Sequence, residues 1–304
     1  MDLSTKICKI RLENPTVLAS GFLGTTGASL VNVANNGAGA VTSKSLGLDE
    51  RKGHPGPVVA EWENGLINAV GLSGPGIEEG IHEIKYAVRN SKAPVIASIF
   101  ASTVRDFGKA AREISKARPC FIEANISCPN VEAEFGKPFG TDPIVSARVT
   151  RIVKKNTDIP VIVKLTPNVP NIKLIANAVE KAGADAICAI NTVGPGMVID
   201  IDAAKPVLSN KAGGLSGPAI KPIAVRCVYD IYETVKIPII GLGGITYGKD
   251  AVEMIMAGAA AIGIGSAIHY RGIDVFKKVC SEIKEFLDKN RYSSLDEIRG
   301  IAHG

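Results

Sequence analysis

The chain has 304 residues, a length that suits a single barrel of eight strands and eight helices. Hydrophobic residues make up 46% and charged residues 21%, which is typical of a globular protein with a large core. The net charge of +5 suits a small anionic ligand, but it is too small and too dispersed to indicate a nucleic-acid-binding protein.

The cysteines and histidines give no sign of a metal site or of disulfide bonds. The six cysteines form no Cys-x-x-Cys pair, and the four histidines have no metal-ligand spacing. This pattern suits a reducing cytosol. The first six residues carry no export signal, and the longest apolar stretch, Ala251 to Ile268, is interrupted by Glu253 and by glycines. We therefore expect a cytoplasmic protein that makes no membrane contact of its own.

Eight apolar runs predict strands, and a helical pattern follows each of them. Continuous apolar strands are typical of a parallel sheet covered by helices on its faces. The count predicts an α/β fold, a (β/α)8 TIM barrel formed by residues 1–304 as one domain, and a doubly wound sheet is the alternative. The last helix is predicted near Asp274 to Lys289. In chain order the runs are Pro15–Ala19, Gly37–Ser43, Pro94–Ser98, Phe121–Ile126, Pro160–Lys164, Gly183–Ile190, Pro238–Leu242 and Gly258–Ile264.

Three connections are too long for plain barrel loops. They run from Leu46 to Gly80, from Pro129 to Asp142 and from Val193 to Gly217. Their glycines and prolines predict loops of fixed shape over the carboxyl end of the barrel, where such folds place their chemistry. The second connection is a candidate lid that excludes water from a bound substrate.

Polar residues and glycines follow the predicted strands. Cys128 stands among hydrogen-bonding residues after the fourth strand, where a thiol can act as an acid or base; the alternative is an ordinary small core residue. The strand ends carry Ser20-Gly21, Lys44-Ser45, Ser98, Asn125 with Cys128, Lys164, Asn191-Thr192, Gly243-Gly244 and Gly265-Ser266.

The last two strand ends predict a phosphate site. Gly241-Leu-Gly-Gly244 and Gly263-Ile-Gly-Ser266 expose backbone N–H groups next to a helix start, although either could simply be a tight turn. Gly213-Gly-Leu-Ser-Gly217 favours the phosphate. The segments do not match the dinucleotide fingerprint.

Two lysines and several amides predict a site for an anionic ring. Lys44 and Lys164 each end an apolar strand, where an ammonium is costly unless an anion meets it or the side chain reaches the rim. The amides of Asn68, Asn125, Asn130 and Asn191, with Thr192, supply the paired donors and acceptors that an imide-like ring needs.

With these residues in place, the chain resembles the catalytic subunits of class 1 dihydroorotate dehydrogenases nearly from end to end. Long, ordered segments spread over the barrel carry the resemblance. These segments are Asn125-Ile-Ser-Cys-Pro-Asn130, Phe139-Gly-Thr-Asp-Pro143, Val163-Lys-Leu-Thr-Pro-Asn168, Ile190-Asn-Thr192 and Gly213-Gly-Leu-Ser-Gly-Pro-Ala-Ile-Lys-Pro222.

The resemblance implies a barrel that binds FMN and oxidises dihydroorotate to orotate in pyrimidine synthesis, with Cys128 as the base. At position 98 the family pattern has an asparagine, whereas this chain has Ser98, which has fewer hydrogen-bond donors for the flavin. The implied substrate-binding residues are Lys44, Asn68, Ala69, Val70, Gly71, Leu72, Asn125, Asn191 and Thr192. The implied FMN-binding residues are Ser20, Lys44, Ser45, Ser98, Asn125, Lys164, Ile190, Gly217, Gly243, Gly244, Gly265 and Ser266.

The resemblance also implies partners. A cysteine at position 128 resembles the pattern of class 1 enzymes, because class 2 enzymes have a serine as the base. The segments Asn68–Leu72 and Leu215–Pro218 resemble those of the NAD-linked B type. That type works with a second subunit that carries FAD and an iron-sulfur cluster, in a heterotetramer of two copies of each chain built on a homodimer of this one. The A type, a homodimer that uses fumarate, is the alternative.

Three other functions remain compatible with the residues. One is a flavin-free barrel enzyme that forms a Schiff base on Lys164 or Lys44. Another is a barrel kept as a non-enzymatic scaffold, against which Cys128 and both lysines argue. The nearest rival is a flavoenzyme acting on dihydropyrimidines, which would differ only in its contacts with the substrate ring.

Overall fold

The apolar runs form the strands of a closed parallel barrel in the computed structural model, which describes residues 2–127 and 138–304. Barrel strands pair with their neighbours in chain order and the last pairs with the first, which confirms the predicted (β/α)8 fold and excludes a doubly wound sheet. The strands are β1 (Thr5–Ile7), β2 (Ile10–Leu12), β3 (Thr16–Leu18), β4 (Ala40–Thr42), β5 (Val59–Trp62), β6 (Gly65–Asn68), β7 (Val95–Ile99), β8 (Phe121–Asn125), β9 (Val161–Leu165), β10 (Ala186–Ala189), β11 (Val193–Gly196), β12 (Ile199–Asp200), β13 (Lys205–Pro206), β14 (Gly213–Ser216), β15 (Ile239–Leu242) and β16 (Ala261–Ile264).

Helices surround the barrel, and polar side chains begin several of them. Thr103 accepts a hydrogen bond from the backbone N–H of Asp106, and Asp142 accepts from those of Ile144 and Val145, which satisfies donors that a helix start leaves free. The helices are α1 (Gly27–Asn35), α2 (Ile77–Asn90), α3 (Val104–Ser115), α4 (Pro143–Lys155), α5 (Ile172–Lys181), α6 (Lys221–Tyr232), α7 (Gly248–Met256), α8 (Ala267–Arg271) and α9 (Val275–Lys289).

Each barrel strand separates two apolar layers. Along β8, Ile122 and Ala124 belong to the core between barrel and helices, whereas Phe121 belongs to a second cluster inside the barrel. Both faces are buried, which explains why the strand sequences are continuously apolar.

The β1–β2 hairpin closes the amino end of the barrel. Ile7 and Leu12 join the inner apolar cluster, and the Thr5 hydroxyl donates to the carbonyl of Ala260, just before β16. The barrel therefore opens only toward its carboxyl end among the residues that the structure describes.

Two of the long connections form a sheet of their own. Residues from Leu46–Gly80 and Val193–Gly217 pair as a four-stranded antiparallel sheet in the order β11, β14, β6, β5. This sheet is fixed structure over the carboxyl end of the barrel, whereas the sequence predicted only shaped loops.

The candidate lid lies largely outside the described residues, which resume at Pro138. After that point Phe139–Thr141 form one short 3-10 turn with Phe139 buried, and the Gly140 N–H donates to the carbonyl of Ile126 at 2.9 Å. The far end of this connection is therefore tied to the end of β8. Across the described ranges, we find no helix with the length and apolarity needed to cross a bilayer.

Candidate active site

A cleft lies between the carboxyl ends of the barrel strands and the four-stranded sheet. Its larger part encloses a cavity of about 190 Å³, and the adjoining part encloses about 130 Å³. Predicted site residues line it in two adjoining regions. The region that we call the glycine side includes Ile190, Gly217, Gly243, Gly244, Gly265 and Ser266, and the amide side includes Lys44, Ser45, Val70, Gly71, Leu72 and Asn125. Ser20, Asn68, Val70, Lys164, Asn191 and Thr192 border both regions.

The glycine side is a cradle of backbone. Gly243 and Gly244 follow β15 with φ angles of 134° and 71°, values that side chains other than glycine's rarely adopt. A Cβ at Gly244 would lie 2.6 Å from the Cβ of Lys221, so the turn also needs the space. Turns of this kind direct successive backbone N–H groups toward one point, where they can bind phosphate oxygens.

Apolar side chains complete the glycine side, and the sequence did not reveal them. Such residues look like any core residue in a sequence, and only the fold brings them to one wall. They are Phe22, Leu66, Ile220, Leu242 and Ile245.

The cleft is electrically positive. Among the described residues that line it, Lys44 and Lys164 are cationic and none is acidic. The Lys164 Nζ, almost fully buried, donates to the Ser20 Oγ at 2.8 Å, and the Lys44 Nζ donates to the Ser73 Oγ at 3.2 Å. Burial lowers the pKa of Lys44, because desolvation disfavours its charged form. Neither ammonium has a carboxylate partner among the residues that the structure describes, so the site favours an anion.

The amide side is a connected set of hydrogen bonds. Asn125 pairs with Lys164 in the barrel register, and its Nδ2 donates to the Ser45 Oγ at 3.0 Å. The Asn125 Oδ1 accepts a hydrogen bond from the Ser127 Oγ at 2.7 Å. The Ser127 Oγ in turn accepts one from the Asn191 Nδ2 at 2.6 Å. Each carboxamide is therefore held in one orientation, with hydrogen-bonding capacity left for a ligand.

Glycines in β14 bring the covering sheet close to the barrel. A Cβ at Gly214 would lie 2.1 Å from the Thr192 Oγ1, and one at Gly213 would lie 2.5 Å from the carbonyl oxygen of Asn68. The Asn68 Nδ2 donates to the carbonyl of Gly214 at 3.1 Å. The absence of a side chain at both glycines therefore lets β14 lie directly against Thr192 and Asn68; the phosphate contact suggested for this segment stays a prediction.

Two of the predicted residues that the structure describes do not line the cleft. Ala69 is buried behind it, and Ser98 lies below it, bonded to Ser45 and to Glu123. Cys128 lies outside the described residues, as does Asn130. The sequence also missed Ser127 and Glu123; an acidic residue inside a buried strand was the available signal for Glu123.

The geometry of the cleft agrees with the sequence similarity of this chain to known proteins. A sequence model of the family described as Dihydroorotate dehydrogenase matches residues 2–287. A Methanosarcina mazei protein named "Dihydroorotate dehydrogenase B (NAD(+)), catalytic subunit" is 49% identical over 295 residues, which cover 97% of this chain and 93% of the relative. Proteins of the same name from Methanocaldococcus jannaschii and Methanothermobacter thermautotrophicus are 48% and 46% identical, each covering 99% of this chain and 98% of the relative. The chain therefore belongs to the dihydroorotate dehydrogenase family.

Proposed function

We propose that this chain is the catalytic subunit of an NAD-linked dihydroorotate dehydrogenase, which oxidises dihydroorotate to orotate with FMN. The observation that carries the proposal is the joining of a glycine cradle, apolar walls, two lysines and oriented amides in one cleft, whose described lining residues include no acid. The names of the relatives, which cover nearly the whole chain, support the reaction and the NAD link.

The cleft fits FMN in its parts. The backbone of Gly243, Gly244, Gly265 and Ser266, with Gly217, would hold the phosphate, and the apolar walls would accept the flat ring. Lys164, Ser20, Ser45, Asn125 and Ile190 would contact the ring or its ribityl chain. Bound there, FMN supplies an acceptor for the hydride that leaves carbon 6 of dihydroorotate.

The amide side fits the substrate. Lys44 would meet the carboxylate, and Asn68, Asn125, Asn191 and Thr192 would bond the imide edge of the ring. The segment Ala69–Leu72 would form the neighbouring wall, with Val70, Gly71 and Leu72 facing the cleft. A ring held on several edges is oriented for removal of one particular proton.

Cys128 would remove the proton from carbon 5. Loss of that proton together with a hydride from carbon 6 leaves the double bond of orotate, so atoms and electrons balance. Ser127, its chain neighbour, lies in the hydrogen-bond set of the amide side. Closure of the connection after Cys128 would exclude water from the ring, which favours proton transfer to a thiolate.

We also propose that a second subunit with FAD and an iron-sulfur cluster passes the electrons to NAD, in a heterotetramer built on a homodimer of this chain. The relatives are named catalytic subunits, which supports a separate partner. Co-purification from the native source tests this assembly. Recovery of this chain as a lone homodimer active with fumarate would instead support the A type.

The central test is the absorbance spectrum of the purified protein, followed by an assay with dihydroorotate and an artificial electron acceptor. We expect a flavin band in the visible blue that bleaches on addition of dihydroorotate. A colourless protein that is trapped by borohydride together with a carbonyl substrate would support a Schiff-base enzyme and reject the proposal.

A further inference from the structure

A buried carboxylate below the cleft is not used by the proposed reaction. Glu123 points into the barrel from the middle of β8 and is only 3% exposed. Its Oε1 accepts a hydrogen bond from the Ser98 Oγ at 2.8 Å. Burial, with the nearby charge of Glu123, raises the pKa of the Cys188 thiol, so this thiol stays protonated beside the carboxylate.

The carboxylate determines the direction of a chain of hydrogen bonds. Ser98 has one hydroxyl hydrogen, and Glu123 takes it. In the 2.8 Å contact between the Ser98 and Ser45 oxygens, Ser45 must therefore be the donor. The hydrogen of Ser45 is then committed as well, and its oxygen accepts from the Asn125 Nδ2 at 3.0 Å.

The consequence appears at the cleft wall. Ser45 lines the amide side, but it has no hydrogen left to donate there. It offers a ligand only its remaining lone pair, and so it selects an N–H group. Beyond Asn125 the chain continues through Ser127 to the carboxamide of Asn191, in the same direction.

This series of hydrogen bonds orients groups and does not conduct protons. The carboxamide of Asn125 interrupts the series of hydroxyls and does not exchange protons readily. We propose that Glu123 is a positioning residue: through Ser98 it turns the Ser45 hydroxyl away from the cleft, so that Ser45 accepts a hydrogen bond from a ring N–H. The inference rests on the proposed function, since flavin and pyrimidine rings both carry such N–H groups.

Substitutions can reverse or interrupt this series of hydrogen bonds. In Glu123→Gln the amide can donate to Ser98, which frees the Ser45 hydrogen to turn toward the cleft and oppose a ligand N–H. Ser98→Ala cuts the chain whichever way a glutamine turns. Each change is expected to weaken ring binding by about tenfold, the usual effect of losing one good hydrogen bond.

The experiment is a double-mutant cycle on ligand affinity. Apoprotein is titrated with FMN by fluorescence, and FMN-loaded protein is titrated with orotate by the shift of its visible band, which tells whether Ser45 serves the cofactor or the substrate ring. Glu123→Gln and Ser98→Ala are each measured with and without Ser45→Ala. We expect both to have little further effect once Ser45 is alanine, because they act through that hydroxyl.

Thr16→Val is the matched control, since it removes a fully buried hydroxyl at the opposite end of the barrel. We expect it to leave both affinities unchanged. Additive losses in the cycle, or unchanged affinities in both Glu123→Gln and Ser98→Ala, would overturn the inference while leaving the proposed function intact. A wild-type protein that binds neither FMN nor orotate would refute the proposed function and this inference together.

Discussion

The two ends of the barrel are built from the same strands but filled by different chemistry. At the amino end Phe121, Ile162 and Ile240 pack together under the β1–β2 hairpin. At the carboxyl end the inward positions hold Asn125 and Lys164, and a cleft remains. Along β8 alone, the inward residues change from phenylalanine through glutamate to asparagine. One strand thus contributes stability at one end and ligand contacts at the other.

This difference shows how a barrel accommodates a polar site. Burial of Asn125, Ser127 and Lys164 is unfavourable unless each polar atom finds a partner. The structure supplies those partners within the site itself, as in the bond between Lys164 and Ser20. The residues packed at the amino end are mainly apolar and need few such partners. Their packing offsets the free-energy cost of burying polar groups at the carboxyl end. Substitutions at the two ends should therefore have separable effects.

The largest effect is expected for Cys128→Ala. Removal of a general base lowers the rate by roughly 10² to 10⁴. We expect dihydroorotate to reduce the flavin more slowly by that factor at neutral pH, in stopped-flow absorbance, while FMN stays bound. Cys120→Ala is the control, since Cys120 precedes β8 at the other end and packs on the inner apolar cluster. Near-normal reduction in the Cys128 variant would reject the base.

Next comes the amino end itself. Phe121 is fully buried, and Phe121→Ala leaves a cavity, which costs about 3–5 kcal/mol of unfolding free energy. Urea unfolding of the apoprotein measures this loss, and Phe121→Leu, with a smaller cavity, is the milder control. The fraction that stays folded should bind FMN with unchanged affinity. A large loss of affinity with normal stability would contradict the separation of the two ends.

A smaller effect is expected for Lys164→Ala. A hydrogen bond that involves a charge contributes about 1.5–3 kcal/mol, so FMN affinity should fall by roughly 10- to 100-fold. Flavin retained after dialysis, read from absorbance, measures it. Lys154→Ala is the control, because Lys154 pairs with Asp185 at 2.6 Å and does not line the cleft. Full occupancy in the Lys164 variant would place the cofactor elsewhere.

The smallest effect concerns pH. Only the protonated form of Lys44 attracts a carboxylate, and burial lowers the pKa of this lysine. As pH rises through that lowered value the charge is lost, so orotate affinity should decline at a lower pH than an ordinary lysine would give. Titrations from pH 7 to pH 10, roughly the range below the ordinary lysine value, measure the decline. Lys44→Arg keeps its charge and should flatten the profile; an unchanged decline there would assign it to another group.

The barrel strands could be predicted because burial on both faces leaves an unmistakable apolar run, and each predicted run overlaps one strand of the barrel. Most of the cleft could be predicted for a related reason: parallel strands in a closed barrel bring their carboxyl ends together. Ser98 and Ala69 show where this reasoning stops. A residue at a strand end can lie below or behind the wall, and one residue of register decides which.

The sequence by itself determined the class of fold, the polar character of the open end and the family, because these depend on local patterns of residue type. Only the tertiary structure decided that two distant connections pair into one sheet, that apolar residues from four segments share a wall, and that Glu123 directs the hydroxyl of Ser45. Such features depend on contacts between residues far apart in the chain, and no local pattern records them.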